Sequence, residues 1–320
     1  MGFELGFHAS HEQFLPSELL EWVERAEAAG FAHAMCSDHF APFTTAQGNS
    51  GHAWTWLGAA LARTHLDFGT VNAPGQRYHP AVIAQAAATL AEMFPERFWL
   101  ALGSGENLNE HITFDRWPGK PQRQARLKEC VDVLRALFAG ETVTHDGLIR
   151  VDRAKLYSLP KRAPLLFGAA VSPETAAWVA TWADGLISVN QSPETQRRVT
   201  EAFLANGGEG KPMFLQVHVA YAPNREEALS TAHEHWRAAP LGAPLLWDVA
   251  LPEEVDTAAR FVRREDMRDS VRLCCDMYEL FASLRADHEL GFSRIYLHEV
   301  GRQQQRFLDA LAPHLASYSA

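Results

Sequence analysis

Two ionisable side chains stand at the ends of short apolar runs, where chemistry is commonly done: His39 in Ser37-Asp38-His39-Phe40, and Glu106 in Gly103-Ser104-Gly105-Glu106. An imidazole gains and loses a proton near neutral pH, and a carboxylate beside it, with Asp38 the adjacent candidate, sets its tautomer and raises its basicity. The plainer reading is a hydrogen-bonded structural histidine, and most of the 15 histidines must be of that kind. The glycines of GSGE let a ligand approach the backbone, and Glu106 supplies a general acid. The same four residues also read as a tight turn with a solvated carboxylate. In Gly168-Ala169-Ala170-Val171-Ser172, small residues precede a helix start, where free amides and the helix dipole favour a phosphate, although small residues there also serve packing. Phe43, Trp54 and Trp56 either flank a planar ring or roof the structure. Arg77 either binds an anion or pairs with a neighbouring acid.

These residues need strands to carry them. Eight β-prone runs are spaced along the chain: Phe3–His8, Ala34–Asp38, Leu66–Val71, Phe98–Gly103, Leu165–Ala169, Gly185–Val189, Met213–Ala220 and Arg294–His298. Segments of helical period lie between them, several opening on Pro or Ser-Pro, the signature of a helix N-terminus. Repeated βα units in that number predict a single (β/α)8 barrel of the TIM type spanning 1–320, a doubly wound open sheet being the competing arrangement. Two interruptions are expected: a hairpin near 142–157, turning at His145-Asp146-Gly147, and an irregular stretch near 238–266. In such a barrel the working residues sit just past the C-terminal strand ends. That rule selects His39, Asn72, Glu106 and the His298-Glu299 pair.

Composition narrows the class. With 320 residues, 47% of them hydrophobic, the chain can bury a large core, and its net charge of -10 disfavours nucleic acid and anionic membranes as partners. No run approaches the roughly 20 apolar residues that span a bilayer, and no leader is evident, so a cytoplasmic protein is expected. Cys36, Cys130, Cys274 and Cys275 show no metal-binding spacing and read as reduced thiols.

At SDHF, at RYHPAVIAQAAATL from Arg77 and at LGSGENLNE from Leu102, the sequence resembles the luciferase-like monooxygenase superfamily, in the branch of deazaflavin-dependent sugar-phosphate dehydrogenases. CSDHF, APGQRYHP and LQVHVAYAP are similar to a subgroup described as having exchanged coenzyme F420 for FMN. The resemblance implies a bacterial luciferase-like barrel, a flavin-type cofactor with FMN favoured over F420, a small-molecule substrate oxidised by hydride transfer or monooxygenation, a homodimer, and a separate flavin or deazaflavin reductase as partner. It makes His39 the base, Asp38 its supporting carboxylate and Glu106 the acid. It sets Val71, Asn72, Ser104, Gly105, Ala169, Ala170 and Val171 against the cofactor, and Phe43, Trp54 and Gln191 against the substrate, Phe43 standing where the family has tryptophan.

The dehydrogenase's sugar-phosphate lysines are missing. Val189-Asn190-Gln191-Ser192-Pro193 occupies the first position, and no lysine follows Lys211. An uncharged substrate is therefore expected, helped by the apolar Trp236, Leu245, Leu246 and Trp247. Two other classes compete: a metal-dependent barrel hydrolase, disfavoured because strand 1 ends in His8-Ala9-Ser10-His11 without an HxH pair, and a flavin-binding barrel without turnover. No metal site is expected.

Overall fold

The structure, a computed structural model, describes residues 2–242 and 244–318. Its strands, in chain order, are β1 (Glu4–His8), β2 (His33–Ser37), β3 (Asp67–Asn72), β4 (Phe98–Leu102), β5 (Val143–Asp146), β6 (Arg150–Ala154), β7 (Leu166–Ala169), β8 (Gly185–Val189), β9 (Met213–Tyr221), β10 (Arg272–Cys274) and β11 (Arg294–Glu299). β1, β2, β3, β4, β7, β8, β9 and β11 pair in parallel in that order, and β11 returns to β1. Eight strands thus close a barrel, as the βα alternation predicts. β5 and β6 form the expected antiparallel hairpin outside it.

The helices are α1 (Pro16–Ala28), α2 (Ala53–Arg63), α3 (Pro80–Met93), α4 (Asn107–Glu110), α5 (Lys120–Phe138), α6 (Pro173–Ala180), α7 (Pro193–Phe203), α8 (Arg225–Trp236), α9 (Leu245–Asp248), α10 (Pro252–Ala259), α11 (Met277–Glu289) and α12 (Gln304–Tyr318). Proline occupies the first turn of α1, α3, α6 and α7, where its missing N–H costs nothing. Ser172 and Ser192 cap α6 and α7 by accepting from the amides of Thr175 and Thr195. In α1 the buried residues are Leu19, Val23 and Ala26, one apolar stripe facing the barrel.

The barrel's lower interior is a plug of aromatic rings. Phe167 stacks on Phe214 with centroids 4.4 Å apart, Trp99 packs against both, and Tyr296 completes the layer. Two glycines make room for it. A Cβ at Gly69 would lie 1.9 Å from the Trp99 ring, and one at Gly6 would lie 2.2 Å from Tyr296. The lower end is closed, so a ligand must use the upper one.

The structure corrects three expectations. The stretch near 238–266 is not irregular but carries α9, α10 and short 3-10 turns. A three-residue strand, β10, pairs with the overhanging Val219–Tyr221 end of β9. α11 follows it, and its burial of Leu280, Phe281 and Leu284 is a helical stripe that the sequence reading passed over. All four cysteines are free.

Candidate active site

Above the plug, the strand ends surround a cavity of about 580 Å³. His39 follows β2, and its loop is pinned on both sides: Ser50 Oγ donates to the His39 carbonyl at 2.8 Å, and the Phe40 amide donates to Asn109 Oδ1 at 2.8 Å. Its Nδ1 lies 2.6 Å from Glu12 Oε1, and its Nε2 faces Glu106 Oε2 at 4.0 Å. Burial alone would lower the His39 pKa, yet the hydrogen bond and charge of Glu12, with the charge of Glu106, raise it to about 8. Glu12 is buried, which opposes ionisation, but the bond to His39 holds its carboxyl down at about 2. Burial pushes the Glu106 carboxyl up, and Asn109 Nδ2 donates to it at 3.2 Å.

His39 therefore has a carboxylate partner, and it is not the expected one. Residues leaving an extended strand alternate sides, so Asp38 points away from the imidazole that follows it. Its carboxylate accepts from Asn72 Nδ2 at 2.7 Å and from Trp54 Nε1 at 3.0 Å, and it faces Arg77 Nη2 at 3.6 Å. Asp38 is thus a positioning group for the ends of β2 and β3. Arg77 pairs with acids: it also faces Glu110, to which its amide donates at 2.7 Å, and its guanidinium donates to the Asp38 carbonyl. Trp54 is the second correction. It is buried on α2, packs against Phe98 and lies outside the cavity wall. Phe43 does line the cavity, edge-on to His39 with centroids 5.2 Å apart.

The other expected residues gather on the wall: Val71, Asn72, Ser104, Gly105, Ala169, Ala170, Val171 and Gln191. Val71, Ala73, Gly103 and Ala169 make a bed of small side chains, and Gly105 holds a φ of +85°, which favours glycine. Several buried polar atoms of wall residues lack a protein partner, among them Asn72 Oδ1, Ser188 Oγ and Gln191 Nε2. The α6 N-terminus opens on the same wall at Ala170, Val171 and Thr175, with Lys120 close enough to influence Glu174. A smooth bed, unspent polar atoms and a cationic helix end fit a planar ring carrying a phosphate arm. Among the described residues, no three or more His, Cys, Asp or Glu side chains group to hold a metal ion.

Sequence reasoning missed Glu12, in the turn after β1, and, apart from His298, the opposite wall. There His8, His218 and His298 project from β1, β9 and β11 with Gln216, and Trp236 packs over two of the imidazoles. Gln216 and His218 are two apart on one strand and so share a face, a signal that could have found them.

A closed parallel barrel whose strand ends bring a buried imidazole–carboxylate pair beside a bed of small side chains and a helix N-terminus has the architecture of a cofactor-dependent barrel enzyme. Residues 2–311 match the luciferase-like monooxygenase family, and the chain belongs to it. It is 33% identical over 321 residues to an F420-dependent glucose-6-phosphate dehydrogenase of Tsukamurella paurometabola, covering 96% of this chain and 95% of that one. It is 32% identical to the protein of that name from Mycobacterium tuberculosis, with 98% and 97% covered. Among solved structures, an F420-dependent secondary alcohol dehydrogenase in complex with an F420-acetone adduct superposes with a TM-score of 0.90 at 28% identity, with 98% of each chain covered. A long-chain alkane monooxygenase at 14% identity and a TM-score of 0.75, covering 100% of this chain and 92% of that one, shares the fold. The protein is a flavin- or deazaflavin-dependent oxidoreductase acting on a small molecule. No described helix is long and apolar enough to cross a membrane.

Proposed function

We propose that the protein is an F420-dependent dehydrogenase that oxidises the hydroxyl of a small uncharged alcohol. The observation that carries this reading is the Glu12–His39 pair at 2.6 Å, which spends Nδ1 and leaves Nε2 turned toward the cavity and Glu106. Neutral His39 takes the hydroxyl proton at Nε2. Glu12 remains ionised, fixes the ring and stabilises the imidazolium that results. Glu106, its carboxyl raised by burial, holds a proton beside the ring bed. The deazaflavin, when bound, supplies the hydride acceptor.

The names of the relatives support F420 over the FMN that the sequence reading favoured. The wall supports an uncharged substrate. Among the described residues its Lys and Arg side chains are Lys120 and Arg123, both on α5, while Arg237, Arg260 and Arg263 stand outside it. Sugar phosphates need such donors around a dianion. We further propose a cytoplasmic homodimer, which sedimentation tests, working without an added reductase in the oxidative direction.

The test offers F420 and FMN separately to the purified protein, then follows bleaching of bound F420 with secondary alcohols and with glucose 6-phosphate. Binding and alcohol-dependent bleaching of F420 are expected. Retention of FMN with no affinity for F420 would overturn the cofactor. Oxidation of glucose 6-phosphate at about 10⁴ M⁻¹s⁻¹ or faster, a typical floor for an enzyme on its own substrate, would overturn the uncharged substrate.

A further inference from the structure

The β1–β9–β11 wall holds a polar cluster that the proton transfer does not use, and its hydrogen-bond directions can be worked out atom by atom. Gln13 Nε2 lies within reach of three carbonyls, those of Glu299, Val300 and Gly301, at 3.2, 2.7 and 3.2 Å. That fixes the amide, so Gln13 Oε1 is the acceptor facing His298 Nε2 at 2.7 Å, and His298 carries its proton there. Its Nδ1 is then a lone pair, which draws Gln216 Nε2 to 3.3 Å. The same nitrogen lies 3.3 Å from His218 Nε2, which becomes an acceptor and leaves the His218 proton on Nδ1. Both hydrogens of the Gln216 amide are thereby spent.

Two groups remain: Gln216 Oε1, an acceptor, and His218 Nδ1–H, a donor. Neither has a hydrogen-bond partner among the described residues, and both side chains line the cavity. An acceptor beside a donor is what a hydroxyl group satisfies, since it gives one hydrogen bond and takes another. His8 links this cluster to the reacting end. It stacks on His298 with centroids 4.3 Å apart, and its titration responds to Glu12 and His39. Both of its ring nitrogens are buried and unpartnered.

We propose that Gln216 and His218 form a substrate subsite for a second, uncharged oxygen, so that the preferred substrate is a neutral diol, polyol or sugar rather than a simple alcohol. The proposal rests on the dehydrogenase reading and narrows it. The subsite offers an anion no positive charge: burial keeps His8 and His218 neutral, at about 4 and about 3, and holds His298 well below the usual imidazole value. Trp236, packed at 5.1 Å from His218 and 4.7 Å from His298 between centroids, gives the C–H face of such a molecule a ring to lie on.

The experiment compares matched pairs on the F420-loaded enzyme: 2-butanol with 2,3-butanediol, and cyclohexanol with its 1,2-diol. The diols should exceed their partners in kcat/KM by about tenfold or more, mainly through KM, because a site that pairs a hydroxyl discriminates against its absence. Gln216→Leu and, separately, His218→Phe should bring that ratio to about one. A second readout needs neither turnover nor variants: ¹⁵N resonances of the His218 ring should shift on adding a diol and not a monoalcohol. Equal efficiencies for both members of each pair would overturn the subsite and leave the dehydrogenase standing. Diol-specific shifts without turnover of any alcohol would support the subsite and overturn the dehydrogenase.

Discussion

On one flank of the cavity, beyond β2, an imidazole is held at about 8; on the other, on β9, an imidazole is held at about 3. Both are deeply placed, and burial pulls both downward. The difference is a carboxylate in hydrogen-bond contact: His39 has Glu12 at 2.6 Å, whereas His218 shares only the amide of Gln216 at 3.3 Å. One buried acid converts the same side chain from a neutral hydrogen-bonding surface into a proton acceptor with a stabilised charged form. On the proposed reading, a single cavity holds a reacting end and a recognising end built from one residue type.

The largest effect is expected from removing the imidazole proposed as the base. His39→Ala should lower kcat by roughly 10²–10⁴-fold while leaving cofactor affinity nearly intact. Single-turnover bleaching of F420 and a binding titration measure the two separately. A rate within a few-fold of the parent would take His39 out of the mechanism.

Glu12→Gln sharpens the contrast, because it keeps the shape and deletes the charge. The rate should fall about 10–10²-fold, since the ring loses the partner that fixes its tautomer and stabilises its cation. In the parent, oxidation should accelerate as pH rises through about 8, where His39 becomes a free base. In the variant that limb should move to lower pH, toward the ordinary value of about 6.5. A limb that stays in place would show that another group sets it.

Stability should depend on pH with opposite signs on the two flanks. His39, raised in the folded state, contributes stability that is full below its unfolded value and lost as pH rises through about 8. His8 and His218 are lowered to about 4 and about 3, so the unfolded chain binds their protons first, and stability falls as pH drops from about 6.5 toward those values. The loss should be on the order of 1–3 kcal/mol per histidine. Denaturant midpoints between pH 4 and 7 measure it, and His8→Phe should flatten the slope. An unchanged slope would mean that His8 does not stay neutral in the folded protein.

Trp54→Phe should have the smallest effect. Asp38 keeps Asn72 and Arg77 when the indole donor is gone, so the cost should be about 1 kcal/mol in stability with kcat within about threefold. Thermal melting and steady-state rates report on this directly. A large loss of substrate affinity would put Trp54 back in the pocket.

The barrel and most of its strand ends were legible because βα alternation and proline-marked helix starts are local signals. The place of His39 on the cavity wall was legible too, through the rule that barrel chemistry sits past the strands. Glu12 was not legible, because sequence adjacency pointed to Asp38 while the strand's alternation turned Asp38 away and a turn four residues beyond His8 delivered the real partner. β10 escaped because three residues leave no periodicity to read, although the unusual length of β9 was its trace. The strand-end rule selected His298, but its grouping into a neutral wall escaped, because histidines on β1, β9 and β11 are far apart in sequence and only closure of the barrel stacks them.

The aromatic plug beneath the site turns the cavity into a chamber with one doorway. If the cofactor and substrate of the proposed reaction both use that entrance, the one seated deeper would arrive first and depart last. The proposed reaction would then follow compulsory-order kinetics, with the outer molecule as the cork that keeps bulk water from the inner one.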